Sequence, residues 1–193
     1  MALRLNGQTS GYVELEVPAA AGSHTLTLPN SGGTSGQYLQ TNGSGTLSWA
    51  GAGKILQVQS ATYSTETTNA TTTYADTGLT DSITPVAAGS SILVIASVSI
   101  YCNRTGNSEG ARLRLVRGST TIFGADTADM LVVSGGASSV QLWARNTMPY
   151  LDTPTYTLGD EITYKVQFRA FTSSATAQNA SQQSSIVLLE VAA

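Results

Sequence analysis

The chain is poor in the residues that most chemistry requires. It has one cysteine, Cys102, which excludes an intrachain disulfide framework. It has one histidine, His24, and no Gly-x-Ser-x-Gly elbow, which leaves a Ser-His-Asp arrangement little to draw on. Charged residues make up only 11% of the sequence, against ~25% in an average soluble domain. The net charge of −3 gives no general pull toward nucleic acid or an anionic membrane. The longest apolar run, Ile92 to Ile100, is broken by Ser97 and Ser99 and falls far short of the ~20 residues of a membrane helix. No charged-then-apolar leader opens the sequence, so the expectation is a product made in a cytoplasm and not inserted into a membrane.

What is present is hydroxyl, glycine and alternation. There are 23 serines, 27 threonines and 19 glycines, yet 41% of the residues are hydrophobic, too many for a disordered chain. From Lys54 onward apolar and polar residues alternate over short segments separated by turn residues, with no convincing helix. A strand is expected to begin at Leu56 and Val58, and others are expected at Tyr74–Ile83, Ser91–Tyr101, Ala111–Arg117, Thr120–Phe123, Val140–Arg145, Ile162–Arg169 and Ser185–Val191. That spacing predicts an all-β protein whose residues 54–193 form a jelly-roll-like β-sandwich. Thr65–Thr73, Arg104–Gly110, Asp126–Ser139 and Phe171–Gln183 are expected as surface loops, and polar loops on a rigid sandwich suit shallow recognition of sugars.

Residues 1–50 read differently. Val13, Leu15 and Val17 alternate with Glu14 and Glu16, Leu26 and Leu28 repeat the pattern, and Asn42-Gly43 signals a turn between Tyr38-Leu39 and Leu47–Trp49. Four strands this short carry too little apolar surface to fold alone, so this small N-terminal β module is expected to complete its core on another chain. Ala50-Gly51-Ala52-Gly53 provides a flexible joint, placed at residues 51–53.

The sequence of residues 7–50, with Gly11-Tyr12-Val13-Glu14-Leu15-Glu16, Thr25-Leu26-Thr27-Leu28-Pro29 and Gly36-Gln37-Tyr38-Leu39-Gln40-Thr41-Asn42-Gly43-Ser44-Gly45-Thr46-Leu47-Ser48-Trp49, resembles a module of fibre-type structural proteins of tailed bacteriophages, marine ones especially. The resemblance implies a virion location and attachment to other virion proteins through residues 1–50. It implies a homotrimer, the usual closure of such fibres. In the C-terminal part, Leu158-Gly159-Asp160 before a long alternating strand and a last strand Ile186-Val187-Leu188-Leu189 resemble trimeric jelly rolls of the C1q and tumour-necrosis-factor type.

Two strands are apolar on both faces. Leu93 and Ile95 alternate with Ile92 and Val94, and Val187 and Leu189 with Ile186 and Leu188. The second apolar face needs either a loop of the same chain or a subunit interface. Candidate interface residues are therefore Val13, Leu15, Val17, Leu26, Leu28, Trp49, Leu93, Ile95, Trp143, Val187 and Leu189. Arg104, Arg112, Arg114 and Arg117 put four of the nine basic residues within fourteen positions. They are either a solvated strand face or a contact for an acidic glycan of the host cell surface or an acidic partner. Nucleic acid would require more basic charge and interleaved aromatics. Asp126, Asp129, Asp152, Asp160 and Glu161 match no twelve-residue calcium loop, so neither metal nor cofactor is expected. The resulting expectation is a non-enzymatic virion protein, a fibre or spike adhering to the host surface, with a capsid-decorating role as the alternative.

Overall fold

The computed structural model describes residues 3–6, 9–15, 18–20, 22–51, 53–105, 108–124, 130–133 and 139–193. The chain divides into two compact units, residues 1–52 and 53–193.

In the first unit, β1 (Leu3–Asn6) pairs antiparallel with β2 (Tyr12–Leu15), and β3 (Gln37–Thr41) with β4 (Leu47–Gly51). The Asn42 side chain organises the connection between β3 and β4 by accepting hydrogen bonds from the amides of Ser44 (2.8 Å) and Thr46 (3.2 Å). The reversal thus takes five residues rather than a two-residue turn. Leu26 and Leu28 do not form the expected strand. Only an isolated parallel bridge joins Thr27 to Thr46, and both leucines are exposed. The Trp49 ring lies against Gly33, where a Cβ would come within 2.6 Å of it, and its Nε1 donates to the Ser31 carbonyl at 2.7 Å. Among the described residues of this unit none is buried.

The second unit is an all-β sandwich. Its strands are β5 (Ile55–Tyr63), β6 (Thr67–Asn69), β7 (Ala75–Ile83), β8 (Ser91–Arg104), β9 (Glu109–Arg117), β10 (Thr120–Phe123), β11 (Met130–Val133), β12 (Val140–Asp152), β13 (Ile162–Ala170), β14 (Ala175–Ala177) and β15 (Ser184–Val191). One sheet runs β12–β8–β15–β5, with β14 and β6 continuing beyond β15 along β8. The other runs β7–β13–β9, with β10 and β11 sharing the far edge of β9. With β10 and β11 taken as one strand and the short β6 and β14 set aside, one sheet orders its strands first, eighth, third and sixth in the chain. The other orders them second, seventh, fourth and fifth, the double Greek key of a jelly roll.

Alternation decides which side chains enter the core. Ile92, Val94, Ala96, Val98 and Ile100 of β8 meet Leu113 and Leu115 of β9, Tyr164, Val166 and Phe168 of β13, and Ile186 and Leu188 of β15, all essentially inaccessible to water. Strand β12 continues seven residues past the expected Arg145 and passes through Pro149. Proline is tolerated there because β12 is an edge strand pairing only with β8, so its outer side owes no backbone hydrogen bond. All four expected loops also contain strand residues: Arg104 ends β8, Glu109 and Gly110 open β9, and Met130–Val133 forms β11. Thr67–Asn69 forms β6, and within Phe171–Gln183 the buried Ala175–Ala177 forms β14, followed by a 3-10 turn at Asn179–Ser181.

Buried Glu190 at the end of β15 fastens the β7–β8 connection. Its carboxylate accepts from the Val86 amide (3.0 Å), the Ala87 amide (3.0 Å) and Gln57 Nε2 (2.7 Å). Burial pushes this carboxyl up, but those donors outweigh it and hold the group below the usual glutamate range. A lowered folded-state pKa stabilises the fold above the unfolded value of about 4.3 and ceases to do so as the pH falls through the folded value. Glu190→Gln should therefore lower stability by roughly 1.5–3 kcal/mol at pH 7 and by much less near pH 3. Urea unfolding of both proteins at the two pH values checks this; an equal difference at both would remove the carboxylate's charge from the account.

Candidate assembly face and arginine cleft

The outward side chains of the β12–β8–β15–β5 sheet fall into cross-strand rows set by the register. One row is Val58, Leu189, Leu93 and Leu151; the next is Ser60, Val187, Ile95 and Pro149. Seven of these eight positions are apolar. Val58 and Leu151, at the two ends of the first row, are 54% and 53% exposed, and Leu93, Ile95, Val187 and Leu189 between them are half-buried. The third row, Thr62, Ser185, Ser97 and Thr147, carries only hydroxyls, and Thr147 Oγ1 bonds Ser97 Oγ at 3.1 Å. The apolar area thus ends at a sharp polar border.

Further along the same face, half-exposed Trp143 lies against Tyr101 with ring centroids 4.9 Å apart, and its Nε1 donates to Asn179 Oδ1 at 3.2 Å. Trp143 is separated from the aliphatic rows by the hydroxyl row and by Arg145, which donates to the Gln183 carbonyl at 2.7 Å. Of the first-unit candidates, Leu15, Leu26 and Leu28 are exposed and Trp49 is half-buried. Val17 and the side chain of Val13 lie outside the described residues.

The four expected surface arginines separate. Arg104 shares the inward side of β8 with Ile100 and Cys102 and is 2% exposed. Arg117 shares the inward side of β9 with Leu113 and Leu115 and reaches Asp152 at 2.7 Å, where the carboxylate also accepts from the Tyr164 hydroxyl. Arg104 is therefore not a surface residue and Arg117 is only partly one, because position in the alternation, not charge, decides which way each side chain points. Arg112 and Arg114 do face outward, and register brings Arg169 of β13 directly opposite Arg112.

Arg114 and Arg169, but not Arg112, border a cleft of about 530 Å³ lined also by Thr72, Thr73 and Tyr74. The Arg114 guanidinium stands 4.1 Å from the Tyr74 ring centre, and that of Arg169 stands 5.5 Å from it. Arg114 donates Nε (2.8 Å) and Nη2 (2.6 Å) to Gln167 Oε1, while Gln167 Nε2 donates to Asp76 at 2.6 Å. Lys165 pairs with the other Asp76 oxygen at 3.0 Å. Burial raises the Asp76 carboxyl, but the bonds from Gln167 and Lys165 prevail and lower it. Asn69, unremarkable in the sequence, builds the cleft's rim. Its amide donates to the carbonyls of Thr73 and Phe168, both at 2.9 Å, and its oxygen accepts from the Thr71 amide at 2.9 Å.

The remaining polar candidates lie apart. Asp160 accepts from the Thr157 amide at 2.8 Å, Asp152 serves Arg117 and Tyr164, and Asp126 and Asp129 lie outside the described residues. His24 is exposed in the first unit. Cys102 is buried, and burial together with the nearby Glu109 carboxylate pushes its thiol up to about 12, which leaves almost no thiolate at neutral pH.

No family model and no curated protein matches the chain. Among solved structures it is similar to the VP2 capsid protein of infectious bursal disease virus. To a mutant VP2 in T=1 particles it is 15% identical with a TM-score of 0.34, over 94% of this chain and 43% of that one. To the chain of the Gx strain of the virus it is 14% identical with a TM-score of 0.33, over 98% and 45%. The chain therefore spans less than half the length of these proteins.

Proposed function

We propose that this chain is a non-catalytic structural protein of a virus particle, a short fibre or spike. Its N-terminal unit attaches to other virion proteins, and its sandwich is displayed and associates with copies of itself as a homotrimer. The observation that carries the reading is the pair of aliphatic rows on the outer face of the β12–β8–β15–β5 sheet. A β-sandwich that functions alone keeps its outer faces polar, whereas seven apolar side chains in two adjacent rows form a contiguous patch of the kind that marks an interaction site. The first unit supports the reading independently, since none of its described residues is buried and its stability must come from elsewhere. The virion location rests on the resemblance of residues 7–50 to fibre modules of tailed bacteriophages.

In this reading the displayed sandwich contacts the host cell surface. Light scattering on the purified protein should give about three times 19.9 kDa. A monomer persisting at high micromolar concentration would overturn the assembly. Particles lacking the protein should adsorb poorly to host cells; particles that adsorb normally but burst more easily would replace attachment with a decorating role.

A further inference from the structure

We propose that the cleft between Arg114, Arg169 and the Thr72–Tyr74 rim binds an anionic saccharide, a sugar ring carrying a carboxylate or a sulfate ester. The inference deepens the host-attachment reading, resting on it for the source of the saccharide but not for the site.

Three features of the cleft point to an oxyanion. First, it sets two guanidiniums, those of Arg114 and Arg169, beside one aromatic ring, with no carboxylate among its lining residues. Second, Arg114 is fixed by the neutral Gln167, which stands between it and Asp76, so that carboxylate offsets the guanidinium's charge only from a distance. Third, the site is held in shape before anything binds. The Tyr74 ring fixes the Arg114 guanidinium, and Asn69 fixes the rim through its bonds to Thr71 and Thr73. Groups already ordered lose little entropy on binding.

The remaining chemistry selects a sugar. Thr72 and Thr73 are exposed at the rim and offer hydroxyls that can both donate to and accept from a saccharide. A volume of about 530 Å³ lies within the usual range for a ligand site. Single-stranded nucleic acid is disfavoured because guanidiniums already flank the one aromatic ring on which a base would stack. The cleft also lies on the sheet opposite the aliphatic rows, so association through those rows leaves it open.

The test titrates the full-length protein by calorimetry with three tetrasaccharides: tetragalacturonate, sulfated κ-carrageenan tetrasaccharide and neutral galactotetraose. At least one acidic probe should bind and the neutral one should not. Binding of the galacturonate alone identifies a carboxylate ligand, and binding of the carrageenan alone a sulfate ester. Arg114→Gln with Arg169→Gln should raise Kd about tenfold or more, as expected for the loss of charge-assisted bonds. Because Arg114 also packs on Tyr74, Thr72→Val with Thr73→Val provides a second variant. It should weaken binding several-fold without moving the melting temperature. The proposal is overturned if neither acidic probe binds, if the neutral probe binds equally, or if both variants bind as the parent does. Undiminished adsorption to host cells by an arginine variant that no longer binds saccharide would overturn the cleft as the attachment site while leaving the attachment reading intact.

Discussion

Replacing Leu93 and Val187 together by aspartate should leave the sandwich folded and abolish its self-association. Both side chains point outward, on β8 and β15, in adjacent rows of the aliphatic face. In the isolated chain an aspartate at either position can turn toward water, so the core beneath, Ile92, Val94, Ile186 and Leu188, is untouched. In an assembled trimer the same carboxylates would sit against the apolar rows of a neighbour. The loss of two aliphatic contacts is worth about 1.5–3 kcal/mol for each fully buried side chain. The burial of unpaired charge adds several kcal/mol more for each carboxylate. Summed over three subunits, this exceeds what an ordinary interface can absorb. Light scattering at matched concentration should report a monomer, and circular dichroism an unchanged β spectrum. A double variant that still gives the parent's mass would place the interface elsewhere on the molecule.

Gly78→Ala should be among the most destabilising single substitutions in the second unit. The residue lies in the middle of β7, where the pairing with β13 is interrupted between Asp76 and Thr80. Its φ of +87° is one that side chains rarely adopt. A Cβ there would lie 2.2 Å from Cε1 of the Tyr63 ring. The distorted backbone is stitched down by Thr77, whose hydroxyl donates to the Val166 carbonyl at 2.9 Å and accepts from the Leu79 amide at 3.1 Å. Alanine therefore meets backbone strain and a ring that must move, costs of about 1–3 kcal/mol each. The expected total, about 2–6 kcal/mol, is a large part of the 5–15 kcal/mol that holds a domain folded. Urea unfolding should show a lower midpoint with an unchanged slope. A midpoint equal to the parent's would mean that Tyr63 yields its position freely.

The parts of the fold that were legible in the sequence are those where alternation and burial agree. Strands β8, β13 and β15 place an apolar residue at nearly every second position into one core, so their presence and inward faces could be read directly, although β8 runs three residues past the expected Tyr101. The second apolar face of β8 and β15 was legible for the same reason. Beyond Arg145 the sequence of β12, with Asn146, Thr147 and Pro149, carries no strand signature, and proline fits a strand there only because β12 is an edge, which the pairing alone reveals. Strands β6 and β14 consist of threonine, asparagine and alanine, types with no hydrophobic signature; their burial is imposed by neighbours distant in sequence. The cleft was half legible. Parity put Arg112 and Arg114 outward, and applied consistently it would have put Arg104 and Arg117 inward with Cys102 and Leu115. The roles of Arg169 and Tyr74 depend on register across strands and on the path of the 70–74 segment, neither of which a one-dimensional pattern contains.

The two outer faces of the sandwich are separated by its core, two packed sheets lying about 10 Å apart. Side chains at that separation with no shared partners contribute to stability nearly independently, so substitutions on one face add to those on the other within a few tenths of a kcal/mol. Sequence change can therefore accumulate around Thr72, Thr73, Arg114 and Arg169 without disturbing Leu93, Ile95, Val187 and Leu189. Two selective pressures can act on this small domain with little interference, one tuning what the cleft recognises and the other holding the aliphatic rows constant.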